Sequence, residues 1–425
     1  MKECDLIMKG GLTSGIVYPS AIKVLSNKYR LKNIGGASAG AIAAVAAAAA
    51  EYRRQSSPNK DDISGFEDLN KVPNDIGSNL VKLFRPTPVF QPLFNFLLAM
   101  LENKNKKKAE AADEKKLSFL GKIIRKIGLT LKYFSIAPFA TLIGSLICLT
   151  GLVYSVTQQA YGFVCFIITI WFLLLVLAPT LKVKKLLSKN LVAQNFGMCT
   201  GLREGKKAST SHPALTEWLC DQIDGIAYGQ DYLKSSDRVP LTVGDLSKHD
   251  ISVKAMTTDL STGRPYELPL QTGVFYFKKK ELQQLFPAYV VKYICELPRN
   301  EKRDQDGYLA MPLDDEIPAI MIARMSLSFP VLISAVPLYQ RHDLAPKGKD
   351  GKAPWVRCLF SDGGISSNFP IHFFDELLPK RPAFGISLAN YDPLIDKNKV
   401  TNAEHASQTL RIPAYEYNGY RWIYY

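Results

Sequence analysis

The chain opens on a short, mostly apolar run, Cys4-Asp5-Leu6-Ile7-Met8, followed by the glycine-rich loop Lys9-Gly10-Gly11-Leu12-Thr13-Ser14-Gly15. Ile16, Val17, Ala21, Val24 and Leu25 then keep roughly helical spacing as far as Asn27, with Pro19 in the first turn, where proline is tolerated. The order repeats at once. A second short run from Leu31 enters Gly36-Ala37-Ser38-Ala39-Gly40, and an alanine-rich stretch continues to about Arg54. This pattern predicts strand, loop, helix, strand, tight turn, helix, the opening of an α/β fold.

Residues 55–100 are mixed. Ser56, Ser57, Pro58, Asn59 and Gly65 mark loops, and the apolar run up to Leu101 suits a cleft cover or a surface helix hairpin equally. Beyond Lys189 globular patterning returns. A helix starts near Pro213 and runs through Cys220 with Trp218 turned inward. Residues 251–258 alternate as a strand and run into a turn at 259–265; 274–277 is a further short strand. Ile317–Phe329 reads as a helix stopped by Pro330. Val356–Phe360 is a strand that ends in Ser361-Asp362-Gly363-Gly364, and 383–388 is a last strand.

Between these halves lies a segment of another kind. From Tyr133 to Leu181 there is no charged residue. A membrane span needs about 20 apolar residues, so the segment accommodates two, near 134–156 and 161–178, joined by Thr157-Gln158-Gln159-Ala160. Charge supports this division. Of 425 residues with net charge +14, residues 102–132 hold ten Lys/Arg against four Asp/Glu, and 182–189 hold four Lys and no acid. Basic residues that bracket one apolar segment suit a membrane surface, not nucleic acid, and the polar turn between the spans carries none. Both ends of the hairpin are then expected in the cytoplasm. Met1-Lys2-Glu3-Cys4-Asp5 places charges where a signal peptide would build apolar length. The seven cysteines (4, 148, 165, 199, 220, 295 and 358) are odd in number and form no C-x-x-C pair, which predicts reduced, buried thiols.

Candidate chemistry sits at the two glycine-flanked turns and the late Asp-Gly-Gly. Gly36 and Gly40 remove the β-carbons that would collide where a strand turns sharply into a helix, and the turn lifts the Ser38 hydroxyl clear of the backbone. The following helix points free N–H groups and its positive end at the same spot, where they would stabilise an oxyanion. The loop at Gly10-Gly11-Leu12 exposes further N–H groups. It lacks the endings of a P-loop or a dinucleotide fingerprint, so an oxyanion hole is favoured over a phosphate cradle. Asp362 ends a strand before Gly363 and Gly364, where a base for Ser38 would have to sit; an Asx turn is the plain alternative.

Gly10-Gly11-x-x-x-Gly15, Gly36-x-Ser38-x-Gly40 and Asp362-Gly363-Gly364, in this order, resemble the patatin-like phospholipase family, in a bacterial-type member with a transmembrane insertion. Thr258–Pro265 is similar to a strand-turn of the family, and Ala323-Arg324 with Ser326 and Pro330 to its helix before the late strands. The resemblance implies a three-layer α/β/α fold with a central, mostly parallel sheet, split into 1–100 and 190–395. Between them come a basic juxtamembrane linker (101–132) and a two-helix transmembrane hairpin (133–181); 396–425 is an unassigned tail. It also implies a membrane-anchored lipid acyl hydrolase with a Ser38–Asp362 dyad and an oxyanion hole from Gly10, Gly11 and Leu12. Gly15, Gly363 and Gly364 are expected to support the site. The substrate would be a phospholipid or other acyl-ester lipid, with no metal or organic cofactor and no nucleic-acid partner. Leu12 and Ser14 stand where the family usually has glycine and a basic residue. Two rivals are a Ser–His–Asp esterase, lipase or acyltransferase using His372 or His405, and a catalytically silent membrane scaffold.

Overall fold

Both strand–loop–helix repeats are present in the computed structural model, which describes residues 1–11, 14–59, 62–99, 183–203, 212–270, 274–297, 307–342 and 353–388, with positions 150, 166, 181 and 346. The elements are β1 (Lys2–Met8), α1 (Ser14–Ser26), β2 (Tyr29–Ala37), α2 (Ala39–Ser56), α3 (Ser64–Leu83), β3 (Gly197–Cys199), α4 (Leu215–Tyr228) and α5 (Val243–Ser247). They continue as β4 (Ser252–Asp259), β5 (Arg264–Leu268), β6 (Tyr276–Phe277), α6 (Lys279–Leu282), α7 (Ala288–Glu296), β7 (Leu309–Ala310), α8 (Ala319–Ser326), β8 (Val331–Ile333), β9 (Val336–Arg341), β10 (Trp355–Asp362) and β11 (Ala383–Ile386). The chain divides into two units, Met1–Arg85 with Cys199–Tyr425, and Pro86–Met198. In the second, Thr87 ties its two ends through its N–H to the Met198 carbonyl and its hydroxyl to Gln194. Ser38 and Asp362 both lie in the first.

Its main sheet runs β11-β1-β2-β4-β10-β9-β6-β7, with β5 on β4. The fold is α/β, as expected. The parallel pairs are β11–β1, β1–β2 and β2–β4, where helices α1 and α2 make the crossovers. From β4 onward neighbours are antiparallel. The decisive feature is on one edge of β4. Residues 255–259 pair with β5, so β2 and β10 share the opposite edge: Ala37 pairs with Met256 and Asp362 with Thr257. One strand runs parallel to β4 and the other antiparallel, so their C-terminal ends meet tip to tip.

Helix α2 lies against this sheet. Alanine is the best helix former and has no side chain to hold backbones apart, and residues 43–50 are buried throughout. The far end of α2 is pinned by a buried pair, Glu51 and Arg54. Arg54 donates to the carbonyls of Ser26 (2.7 Å) and Tyr29 (3.0 Å), and Glu51 accepts the Leu31 N–H. Both ends of β2 are thus set by α2. The core joins Leu6, Met8, Ile34 and Val45 to Leu219 and Ile223 of α4.

Helix limits differ from the sequence pattern in instructive ways. Helix α1 starts two residues early, at Ser14, so Pro19 falls in its second turn. Helix α8 is shorter than the expected 317–329: the residue before a proline avoids the helical region, so Pro318 holds Ile317 extended and helix begins at Ala319. Trp218 packs against the core partly buried. Cys4, Cys199, Cys220 and Cys358 are buried and Cys295 is half-buried, and none of the five forms a disulfide among the described residues. Among the described residues no helix is long and apolar enough to cross a membrane. The linker (101–132), the charge-free stretch (133–181), Cys148, Cys165 and the tail (396–425) lie outside them, apart from positions 150, 166 and 181.

Candidate active site

Ser38 stands between the end of β2 and the start of α2, with φ 54° and ψ −123°. A positive φ is strained for a residue with a β-carbon and persists only where the surroundings over-determine it. Here both flanking glycines are required. A β-carbon on Gly36 would lie 2.5 Å from the Gly40 carbonyl, and one on Gly40 would strike the Met8 carbonyl, with that of Lys9 at 3.0 Å. Backbone cannot move aside as a side chain can. We expect Gly40→Ala to lower stability by about 3 kcal/mol in denaturant unfolding. Gly15→Ala, with open space around its β-carbon inside α1, should leave stability equal or slightly raised. Gly15 is therefore not demanded by packing, whereas a β-carbon on Gly363 would meet the Met256 carbonyl.

The meeting of β2 and β10 brings the expected pair together. Ser38 Oγ donates to Asp362 Oδ2 at 2.7 Å, and Asp362 Oδ1 accepts the Gly364 N–H at 2.6 Å. Asp362 is 3% exposed and Ser38 half-buried. Burial pushes the Asp362 carboxyl above the usual carboxylate range, and the hydrogen bonds from Ser38 and Gly364 oppose that rise. The group is a stronger base than a solvated aspartate, which is what proton abstraction from a hydroxyl requires. Asp362 does cap the next turn, as an Asx residue would, but with the oxygen that Ser38 does not use. His372 is exposed and meets the Phe373 ring edge-on; among the described residues no histidine hydrogen-bonds to Ser38 or Asp362. His405 lies outside them.

The glycine loop differs from expectation in one donor. Gly10 gives its N–H to the Asn368 carbonyl at 2.8 Å, so in this structure it is not aimed at a substrate. Its lack of a β-carbon still matters, since one would press on the Asn368 side chain and on Ser38. Gly11 makes no hydrogen bond through its N–H among the described residues, and Leu12 lies outside them. Ala39 and Gly40 occupy the first turn of α2, where N–H groups have no acceptor inside the helix. That leaves the N–H groups of Gly11 and of Ala39, the residue after Ser38, without an acceptor among the described residues.

Three residues at the site carry no role in the sequence pattern. Ser326 and Ser328, at the end of α8, contact the backbones of Ser38 and Asp362, and Asn368 backs the glycine loop. Ser326 is singled out beforehand only through the family resemblance, and the two serines flanking Leu327 carry no further signal.

No family model matches the chain. The chain is 34% identical to a protein of Rhizobium meliloti (strain 1021) named "RpoH suppressor", in an alignment of 447 residues covering 91% of this chain. This chain spans 66% of that relative's length. The relative's name describes a suppressor and states no reaction.

Proposed function

We propose that this protein is a serine ester hydrolase with a Ser38–Asp362 dyad, acting on acyl-ester lipids of the phospholipid class, in a patatin-like α/β/α fold. The observation that carries this reading is the 2.7 Å hydrogen bond from a strained, turn-borne serine to a buried carboxylate whose second oxygen is occupied. Ser38 Oγ attacks the ester carbonyl as its proton passes to Asp362 Oδ2. The N–H groups of Gly11 and Ala39 hold the oxyanion. Collapse expels the alcohol, which takes the proton from Asp362 and leaves an acyl group on Ser38. Water, losing a proton to Asp362, then attacks the acyl-enzyme and releases the fatty acid, and the proton returns to Ser38. The lipid part of the proposal rests on the family resemblance and on the charge-free stretch 133–181 between lysine-rich flanks, which would hold the catalytic unit at a bilayer from the cytoplasmic side.

The test is fatty acid release from mixed phospholipid vesicles by the full chain, beside Ser38→Ala, together with labelling by a fluorophosphonate. We expect release by wild type, none by Ser38→Ala, and an adduct mapped to Ser38. Folded wild type that neither releases fatty acid nor takes the label would overturn the reading in favour of a silent scaffold.

A further inference from the structure

Ser326 takes no part in the proton transfers above, yet it is fully buried beside them. Its hydroxyl donates to the Met256 carbonyl at 2.6 Å and accepts the Ser38 N–H at 2.9 Å. Met256 is the last residue of β4 paired with β2, and Thr257 is paired with the tip of β10. The hydroxyl therefore bridges β4 to the chain at the point where the backbone leaves the ladder and turns to a positive φ. We propose that Ser326 is a positioning residue for the nucleophile: it fixes the Ser38 peptide in its strained turn and withdraws the Ser38 N–H from oxyanion binding.

The same segment sets the base. The Ser328 carbonyl accepts the Asp362 N–H at 3.1 Å and the Ser361 hydroxyl at 2.5 Å, and the Thr257 hydroxyl binds the Ser361 carbonyl at 2.7 Å. Two residues apart on one turn, a hydroxyl holds the amide of Ser38 and a carbonyl holds that of Asp362. The separation of nucleophile and base is thus referred to a single short piece of chain. With the Ser38 N–H taken, oxyanion binding falls to Gly11 and Ala39. Ser326 touches neither substrate nor a reacting atom and acts only through Ser38. The inference rests on Ser38 being the nucleophile.

The experiment compares wild type, Ser326→Ala and Ser326→Cys as full chains. It follows the rate of fluorophosphonate labelling, kcat and KM on a short soluble acyl ester, and thermal unfolding. Cysteine fills nearly the same space but hydrogen-bonds weakly, so it stands in if the alanine variant does not fold. We expect labelling and kcat to fall at least tenfold in both variants with KM within twofold of wild type; a merely structural serine would lower the melting temperature without separating kcat from KM. Labelling of a folded variant at the wild-type rate would overturn the positioning role while leaving the nucleophile in place. Absence of labelling in wild type would instead remove the nucleophile, and the positioning role with it.

Discussion

Asp362→Asn is expected to slow turnover by on the order of 10³-fold, the scale of a lost general base, without lowering the melting temperature. The geometry explains the separation. Asparagine has the same shape, and its carbonyl oxygen can accept the Gly364 N–H in place of Asp362 Oδ1. Its amide nitrogen can then donate to Ser38 Oγ across the 2.7 Å contact. Both hydrogen bonds survive, but the second is reversed, and an amide cannot take a proton. Stability moves the other way because burial raises the Asp362 pKa in the folded state. The folded protein then binds that proton more tightly than the unfolded chain, so this group's contribution falls as pH rises through the folded pKa. Wherever the folded carboxyl is ionised it is a net cost to the fold, which a neutral isostere removes. The same shift sets the acid limb of the wild-type rate profile: activity falls as Asp362 is protonated, with a midpoint above the usual carboxylate range. Rates measured across pH, with calorimetry on both proteins, decide the matter. An Asp362→Asn protein that keeps its rate, beside a His372→Ala protein that loses it, would instead favour a histidine base.

How much of this site was legible beforehand follows from where its parts lie along the chain. The Ser38 turn was legible because a short run of sequence contains every cause of it: an apolar strand, two glycines at the points of closest approach, and alanines that start a helix. Asp362 was legible as a strand end, and its pairing with Ser38 came through the resemblance to a family and not from the local pattern. The pairing depends on β2 and β10 sharing one edge of β4, and nothing in the spacing of residues 31–37 and 356–362 encodes that register. The antiparallel half of the sheet was the least legible part. Strands β5 and β7 are short, and β9 carries its buried positions in one run, Val336 to Tyr339, and not in alternation. The oxyanion loop illustrates a further limit. Glycine content announces that backbone N–H groups are accessible, but not which one is already engaged, and the Asn368 carbonyl that engages Gly10 is far downstream. Ser326 was placed on a helix by pattern alone; its importance comes from what faces it.

Arg324→Met is expected to lower the stability of the unit that carries Ser38 by about 4 kcal/mol, a shift of roughly 10 °C in melting temperature for a unit of this size. Arg324 is fully buried, and among the described residues it pairs with no carboxylate. Instead it gives hydrogen bonds to four neutral oxygens: the Thr216 hydroxyl (3.1 Å), the Ser328 hydroxyl, and the carbonyls of Thr200 (3.0 Å) and Ser334 (2.9 Å). Burial brings its pKa down to about 10, so it remains charged at neutral pH. Methionine fills the volume but donates nothing, and each stranded oxygen costs about 1–3 kcal/mol before the site relaxes. The loss should reach the chemistry as well, because Ser328 links Arg324 to the backbone of Asp362. Labelling of Ser38 in Arg324→Met is therefore expected to slow even where the protein remains folded. Lys234→Met removes an exposed ion pair with Asp231 and should change neither quantity. Equal melting curves for Arg324→Met and wild type would show that the four oxygens find other donors. The turn that carries Ser326 and Ser328 would then have to be held by the packing of Ile320, Ile322 and Met325 alone.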